Sequence, residues 1–338
     1  MRILFIGDCH LKINRFDLAT SFLSWLNQLI IEQKPDLVVN LGDTFDTHAV
    51  LRSEVLNEFI KHVDVVLGQG IPYVYLLGNH DMYKPNDPKY HALLPFKDKI
   101  NNFHIIDKTQ DFMGMTFVPY QYYGYNFPKK TLPVCVAHQT FLGADYGPIR
   151  ATEGVDASSI VGCDIIISGH IHTKSVLGSV LYVGSPFSQS ASDIDQVKGI
   201  TIFDTDNYKT TFTTCPLPMW RRFTFIIDGQ GQSIELLSRI LTKTVAGSKD
   251  HWVVQLEGPK AEIVGYLSSK EYLEAIAEVD VKVKTKFTDS EKKKVSIEAK
   301  TMEHIISEWV AKVYNGSVDK EELSARARIV LNEARLGK

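Results

Sequence analysis

Apolar and polar positions follow two periods along this chain, and the switches between them lay out its elements. Residues 2–6, RILFI, are a short apolar run without alternation, as expected of a strand covered on both faces. Phe16, Ala19, Phe22, Leu26, Leu29 and Ile30 then recur at helical spacing and predict a helix over 16–33. The run DLVVNL predicts a second strand, which leads into GDTFD. Val55, Leu56, Phe59, Ile60, Val63 and Leu67 share one face of a second helix over about 53–67, with Ser53 as its N-cap and Gly68 and Gly70 as its stop. The strand YVYLL delivers the chain to GNHD. Strand, loop and helix repeated in this order predict an α/β core with a largely parallel sheet.

From about residue 103 the helical period disappears, and six short strands follow: FHIID, MTFVPY, PVCVAH, CDIIISGH, SVLYVGS and GITIFD. They predict a second sheet packed on the first. The aromatic stretch YQYYGYNF, residues 120–127, reads either as a loop covering a sheet edge or as a stacking platform for bases. Pro216 and Pro218 mark a corner. After it come a strand from 223, a helix over about 233–244, the strand WVVQL, a helix over about 262–277 and the strand VKVKTKF, enough for a small α/β unit. TDSEKKK reads as an exposed linker, and two amphipathic segments close the chain. The boundaries are 1–215, 216–290 and 291–338, near the two domains that a 338-residue length suggests, plus a helical tail.

Composition removes some classes of function. Apolar residues are 44% and charged residues 23%, so disorder is not expected, and no run approaches the ~20 apolar residues of a membrane span. Four dispersed cysteines, at 9, 135, 163 and 215, read as reduced core thiols, and with no leader pattern they fit a soluble, cytoplasmic protein. A net charge of −3 offers no general attraction to nucleic acid, so a polyanion site would have to be made locally.

The candidate chemistry lies just beyond the strands: Asp8 and His10, Asp43, Asn79 and His80, His138, then His170 and His172. The C-terminal edge of an α/β sheet is where loops from neighbouring strands converge. In DCH and HIH alternate residues of an extended backbone point the same way. Imidazoles mixed with carboxylates and an amide oxygen suit Mn, Fe or Zn better than Ca, and there are enough ligands for two ions. Two ions ~3.5–4 Å apart with a shared carboxylate activate a nucleophile at neutral pH and stabilise a phosphoryl transition state. Taken singly, each histidine serves as well as a structural hydrogen-bonding group; the ordered set carries the signal.

GDCH, GDTFD, GNHD, AHQ and GHIH, in this order, resemble the five motifs of the calcineurin-like metallophosphoesterase superfamily, and GDTFD, GNHD and YVGSPF (182–187) resemble its SbcD nuclease branch. The resemblance implies a two-sheet α/β sandwich flanked by helices, followed by a smaller α/β DNA-capping domain. It implies one metal held by Asp8, His10, Asp43 and His172 and a second held by Asp43, Asn79, His138 and His170, with Asp43 bridging. His80 is then free for the substrate, to stabilise a non-bridging oxygen or protonate the leaving 3′ oxygen, with Asp81 fixing its tautomer. The implied activity is a 3′-to-5′ exonuclease and single-strand endonuclease using two divalent ions, Mn ahead of Mg, in DNA repair and recombination. The implied partners are DNA, an SbcC-like ATPase and a second copy of the chain, with no membrane.

Some readings stay open. Cys9 is expected as a small buried filler and His48 as a solvated loop residue. Trp220, Arg221 and Arg222 suit either the phosphate backbone or an interdomain seam, and the tail suits either the ATPase or the protein's own cap. A phosphomonoesterase or cyclic-nucleotide phosphodiesterase would use the same metal centre, and a non-catalytic scaffold is the rival outside enzymes.

Overall fold

The apolar run at the N-terminus is a central strand in the computed structural model, which describes residues 1–227, 249–277 and 281–288 apart from 49, 85, 86, 147 and 148. In this strand, β1 (Arg2–Ile6), Ile3 and Phe5 join one apolar cluster while Leu4 and Ile6 join another, so neither face meets water. After it come α1 (Phe16–Gln33), β2 (Leu37–Asn40), α2 (Ser53–Gly68) and β3 (Tyr73–Leu76), as the pattern predicts. A short hairpin, β4 (Met82–Lys84) and β5 (Asp87–His91), leads to β6 (Phe103–Ile106). The next strands are β7 (Gln110–Phe112), β8 (Met115–Val118), β9 (Val134–His138), β10 (Ile165–Gly169), β11 (Ser175–Leu177), β12 (Val180–Tyr182), β13 (Gly199–Asp204) and β14 (Lys209–Thr214).

Two six-stranded sheets result, in the orders β14-β13-β1-β2-β3-β6 and β11-β12-β10-β9-β8-β7. Their facing sides share one cluster, in which Phe5, Val39 and Val74 meet Phe117, Val136 and Ile167. The family-type sandwich is therefore present, with one correction. Phe103–Ile106 and Gly199–Asp204 were expected in the second sheet, but β6 extends the first sheet in parallel beside β3, and β13 pairs antiparallel with β1. Their partners lie about 30 and 200 residues back, and no local pattern encodes a pairing over such distances.

The other face of the first sheet is covered by α1 and α2, where Phe22, Leu26 and Ile30 meet Phe59, Val63 and Tyr73. Ser53 does not cap α2: the extended residue before the helix is Arg52, and the Ser53 hydroxyl turns to Glu54. Neither helix has a side-chain N-cap. A missing cap costs ~1 kcal/mol, whereas burying three large apolar side chains contributes roughly 5–9 kcal/mol, so packing decides.

Beyond Pro218, β15 (Trp220–Ile226), β16 (His251–Gly258) and β17 (Val281–Phe287) form a parallel three-stranded sheet. It packs on α3 (Lys260–Leu267) and α4 (Lys270–Ala277) through Val254, Leu256, Ile263 and Tyr266. One helix was expected here; two form because Ser268 bonds back to the Val264 carbonyl and the Ser269 hydroxyl accepts the Tyr272 N–H, which restarts the helix. Trp220 and Arg221 are engaged: Arg221 pairs with Asp250 at 3.1 Å, and Trp220 lies between His251 and the Lys282 ammonium. Arg222 is exposed. The helix at 233–244, most of the TDSEKKK linker and the tail lie outside the described residues. Among the described helices none is long and apolar enough to cross a membrane.

Candidate metal centre

The loops leaving β1, β2, β3, β9 and β10 meet at their C-terminal ends, and their polar side chains form one cluster. Asp8 comes from the first sheet, yet its Oδ1 lies 3.8 Å from His138 Nε2, and its two oxygens accept the His170 N–H at 2.9 and 3.0 Å. Asp43 Oδ2 lies 3.3 Å from His138 Nε2 and 3.9 Å from His10 Nε2. His10 and His172 face each other with Nε2 atoms 3.0 Å apart, and Asn79 Oδ1 is 3.1 Å from His138 Nε2. Among the described residues, three groups have candidate ligand atoms within 4.8 Å of one another: Asp8 with His10 and His172, Asp43 with His138 and His170, and His10 with Asp43 and His80. All seven ligand positions expected from sequence, and His80, thus come together.

Glycine makes the approach possible. Gly42 turns the chain at φ +96° immediately before Asp43, and a Cβ on Gly78 would stand 2.2 Å from Asp43 Oδ1. The His138 ring is held from behind, with Nδ1 2.6 Å from the Leu41 carbonyl, so Nε2 faces the cluster.

Asp81 has a different task from the one expected. Its carboxylate is buried beneath the cluster, where it accepts the N–H groups of Asp43 and Gly78 and the Tyr75 hydroxyl, at 2.7–2.9 Å. It positions the loops of Asp43 and Asn79. The Asp46 carbonyl, 3.1 Å from His80 Nδ1, is the group placed to fix the His80 tautomer. The His80 N–H in turn donates to Asp43 Oδ1 at 2.7 Å.

The charges explain which guest suits this cluster. Asp8 and Asp43 are 0% and 2% exposed, and two buried carboxylates cost several kcal/mol unless positive charge matches them. Burial pushes His10 down to about 3, so it stays neutral and acts as a lone-pair donor. Burial opposes charge on His138 too, but the charge and hydrogen bond of Asp43 push it up to about 9. One imidazolium does not balance the buried carboxylates of Asp8, Asp43 and Asp81. Divalent cations do, and neutral imidazoles, carboxylates and one amide oxygen are the ligands they take.

Several residues of the site carried no signal in the sequence. Lys198, 2% exposed, donates to the His172 carbonyl (2.7 Å), Ser185 Oγ (2.8 Å), Asp193 Oδ1 (2.8 Å) and Gln196 Oε1 (2.9 Å). The Ser185 N–H also donates to the His172 carbonyl, at 3.0 Å, so the GSP turn and Lys198 hold His172 together. The aromatic stretch splits. Tyr120 packs 5.4 Å from the His170 ring, Phe127 packs on Phe141, and Tyr125 is solvent-exposed. His48, expected in solvent, stacks on His80 with centroids 4.3 Å apart. Cys9 is the buried filler expected, its thiol donating to the Gly7 carbonyl.

The profile of the calcineurin-like phosphoesterase family matches residues 1–174, which contain every residue of the cluster. Protein 244L of Invertebrate iridescent virus 6, which carries a provisional phosphoesterase name, is 34% identical over 202 residues, 54% of this chain and 69% of the viral protein. Exonuclease subunit 1 of Enterobacteria phage T4 is 25% identical over 246 residues, covering 68% of this chain and 72% of its own. A component of the SbcCD nuclease of Staphylococcus epidermidis is 22% identical over 279 residues, 69% of this chain and 74% of the bacterial one.

Proposed function

The chain belongs to the calcineurin-like phosphoesterase family, and from that premise we propose that it is a DNA phosphodiesterase, the nuclease subunit of an SbcCD-like repair and recombination complex. Family membership makes it a metal-dependent hydrolase. The step to DNA is supported by the two relatives that carry nuclease names. The observation that carries the reading is the meeting of Asp8, His10 and His172 with Asp43, Asn79, His138 and His170 across two sheets.

Asp8, His10, Asp43 and His172 would hold one ion and Asp43, Asn79, His138 and His170 the other, with Mn as the first candidate and Mg as the second. When bound, the ions supply an activated water nucleophile and Lewis-acid stabilisation of the phosphoryl charge. The chain's residues do the rest. Asp81 holds the Asp43 and Gly78 N–H groups and so sets the distance between the loops. With its Nδ1–H on the Asp46 carbonyl, His80 presents Nε2 to the phosphodiester; in the doubly protonated form Nε2–H would donate to a non-bridging oxygen or pass its proton to the leaving 3′ oxygen, which leaves the neutral imidazole with its remaining proton on Nδ1.

Labelled duplex and hairpin DNA, incubated with Mn, Mg or EDTA, tests this reading. The wild type should cleave with metal and not with EDTA, releasing products from 3′ ends and cutting single-stranded loops. His80→Ala should lose at least 100-fold in rate while titration calorimetry still shows both ions bound. A His80→Ala protein as active as wild type would remove His80 from the chemistry, and hydrolysis of phosphomonoesters without DNA cleavage would replace the nuclease reading. The tail, 291–338, is the proposed docking segment for the SbcC-like ATPase. Deleting 300–338 should abolish co-purification with that ATPase, and undiminished binding would refute the docking.

A further inference from the structure

A hairpin beside the metal centre has no part in holding metal. β4 and β5 leave the loop that carries Asn79 and His80 and return to it, where the Ala92 N–H donates to the Asp81 carbonyl at 2.8 Å. The hairpin is therefore mounted on the same loop as His80. Tyr83 and Tyr90 stand 54% and 55% exposed, and both line one depression of about 200 Å³ with Thr47, His48, Leu51 and His91. The depression adjoins the metal centre through His48, whose ring lies over His80 with the planes 23° from parallel.

Its walls are rings: Tyr83 and Tyr90 are exposed and the His48 ring closes the side toward His80, while the His91 side chain is fully buried, with its Nε2 turned to the Asp107 carboxylate at 3.7 Å. Lys84 and Lys89 lie on the same hairpin, their ammonium groups 5.5 and 5.1 Å from the Tyr83 and Tyr90 ring centroids. A flat heterocycle attached to a polyanion matches the exposed rings and the lysines together.

We propose that this depression is a nucleobase subsite: an unpaired base near the scissile phosphate stacks against Tyr83 and Tyr90 beside the His48 ring, and its flanking phosphates meet Lys84 and Lys89. The inference rests on the nuclease reading and deepens it, because the substrate becomes a single-stranded or splayed DNA end. Stacking accepts every base, so the subsite senses whether a base is free and not which base it is. Direct contact with the base is assigned to the two tyrosines.

The probe is a fluorescein-labelled 12-nucleotide deoxythymidine strand, alone and with a single abasic site at each successive position, its binding to full-length protein followed by anisotropy. Tyr83→Ala/Tyr90→Ala should weaken binding of the intact strand about tenfold or more, the loss of base stacking. Tyr83→Phe/Tyr90→Phe should stay within about twofold of wild type, since Phe retains the ring. In wild type one or two abasic positions should cost a similar factor, and the alanine pair should abolish that sensitivity. A melting curve on each variant shows that it is folded. Equal affinity of the alanine pair and wild type, or an abasic penalty undiminished in that pair, overturns the subsite. If that happens while wild type cleaves DNA, the nuclease reading stands without it. If wild type hydrolyses bis(4-nitrophenyl) phosphate but neither binds nor cleaves DNA, the reading and the subsite fall together.

Discussion

Replacing Lys198 with Met keeps the volume of the side chain and removes its charge, in a place where the charge has two tasks. The ammonium is 2% exposed and neutralises Asp193, itself 2% exposed, at 2.8 Å. It also donates to the main-chain carbonyl of His172 at 2.7 Å. Removing one partner of a buried ion pair strands the other, which costs roughly 3–5 kcal/mol. At about 2–4 °C per kcal/mol for a domain of this size, the melting temperature should fall by roughly 10 °C. The His172 carbonyl is left with the Ser185 N–H and a longer bond from the Ser185 hydroxyl, and slack behind a ligand of this kind lowers metal affinity about 10- to 100-fold. The two effects separate in Lys198→Met/Asp193→Asn. The amide oxygen that replaces the carboxylate can still accept the Gln189 and Ser190 N–H groups that Asp193 now caps, so stability should largely return. Metal affinity should not, because His172 still lacks its donor. Melting in EDTA reads the first quantity and titration calorimetry with Mn the second. A single variant that melts within about 2 °C of wild type would refute the buried-pair cost, and unchanged Mn affinity in both variants would refute the positioning of His172.

Gly78→Ala places a Cβ 2.2 Å from Asp43 Oδ1 and 2.6 Å from the Asp43 nitrogen, contacts that only a shift of the loop relieves. It should lose Mn binding by calorimetry, while Gly68→Ala, with nothing within 4 Å, should bind as wild type does. His62 supplies a pH test away from the metal: burial lowers it from its ordinary 6.5 to about 3. Between those values the unfolded chain takes up a proton that the folded chain refuses, so stability falls as pH falls, by at most about 1.4 kcal/mol per pH unit. His62→Leu should flatten the fall in melting temperature between about pH 6.5 and 4, and an unchanged slope would show that other groups set it.

What the sequence disclosed and what it hid divide along the range of the interaction. β1, α1, β2, α2 and β3 each bury a continuous stripe or run, and burial is written in residue spacing, so their bounds were legible to within a residue or two. The candidate ligand positions that meet in the cluster were legible because strand ends, glycines and ligand-type side chains coincide in short segments. The placement of β6 and β13 in the first sheet was not, since both are chosen by partners remote in the chain. The group that faces His80 Nδ1 is a carbonyl, which every residue possesses, so nothing in the sequence sets it above the adjacent carboxylate of Asp81. Lys198 reads as a surface lysine, because nothing local announces that Asp193, Ser185 and Gln196 enclose it. His48 reads as solvated for the same reason: its neighbour His80 is 32 residues away in sequence and in stacking contact in space.

The strained residues show how the cluster is braced. His10, Asp43 and His170 have φ of +41°, +50° and +78°, a region that costs a side chain about 1 kcal/mol or more. Each of their N–H groups is secured by a different loop: His10 donates to the Asp43 carbonyl, Asp43 to the Asp81 carboxylate, and His170 to the Asp8 carboxylate. The strain at one ligand is therefore held by its neighbour, and the first sheet is tied to the second through Asp8 with His170 and Asp43 with His138. Truncating Asp8 removes a candidate donor atom and also the hydrogen bond that keeps His170 in an unfavourable conformation, so losses at these two positions cannot add independently. The same bracing puts metal affinity and fold stability in one linked equilibrium. Any ion taken by the folded cluster and not by the unfolded chain offsets both the strain and the cost of burying Asp8 and Asp43.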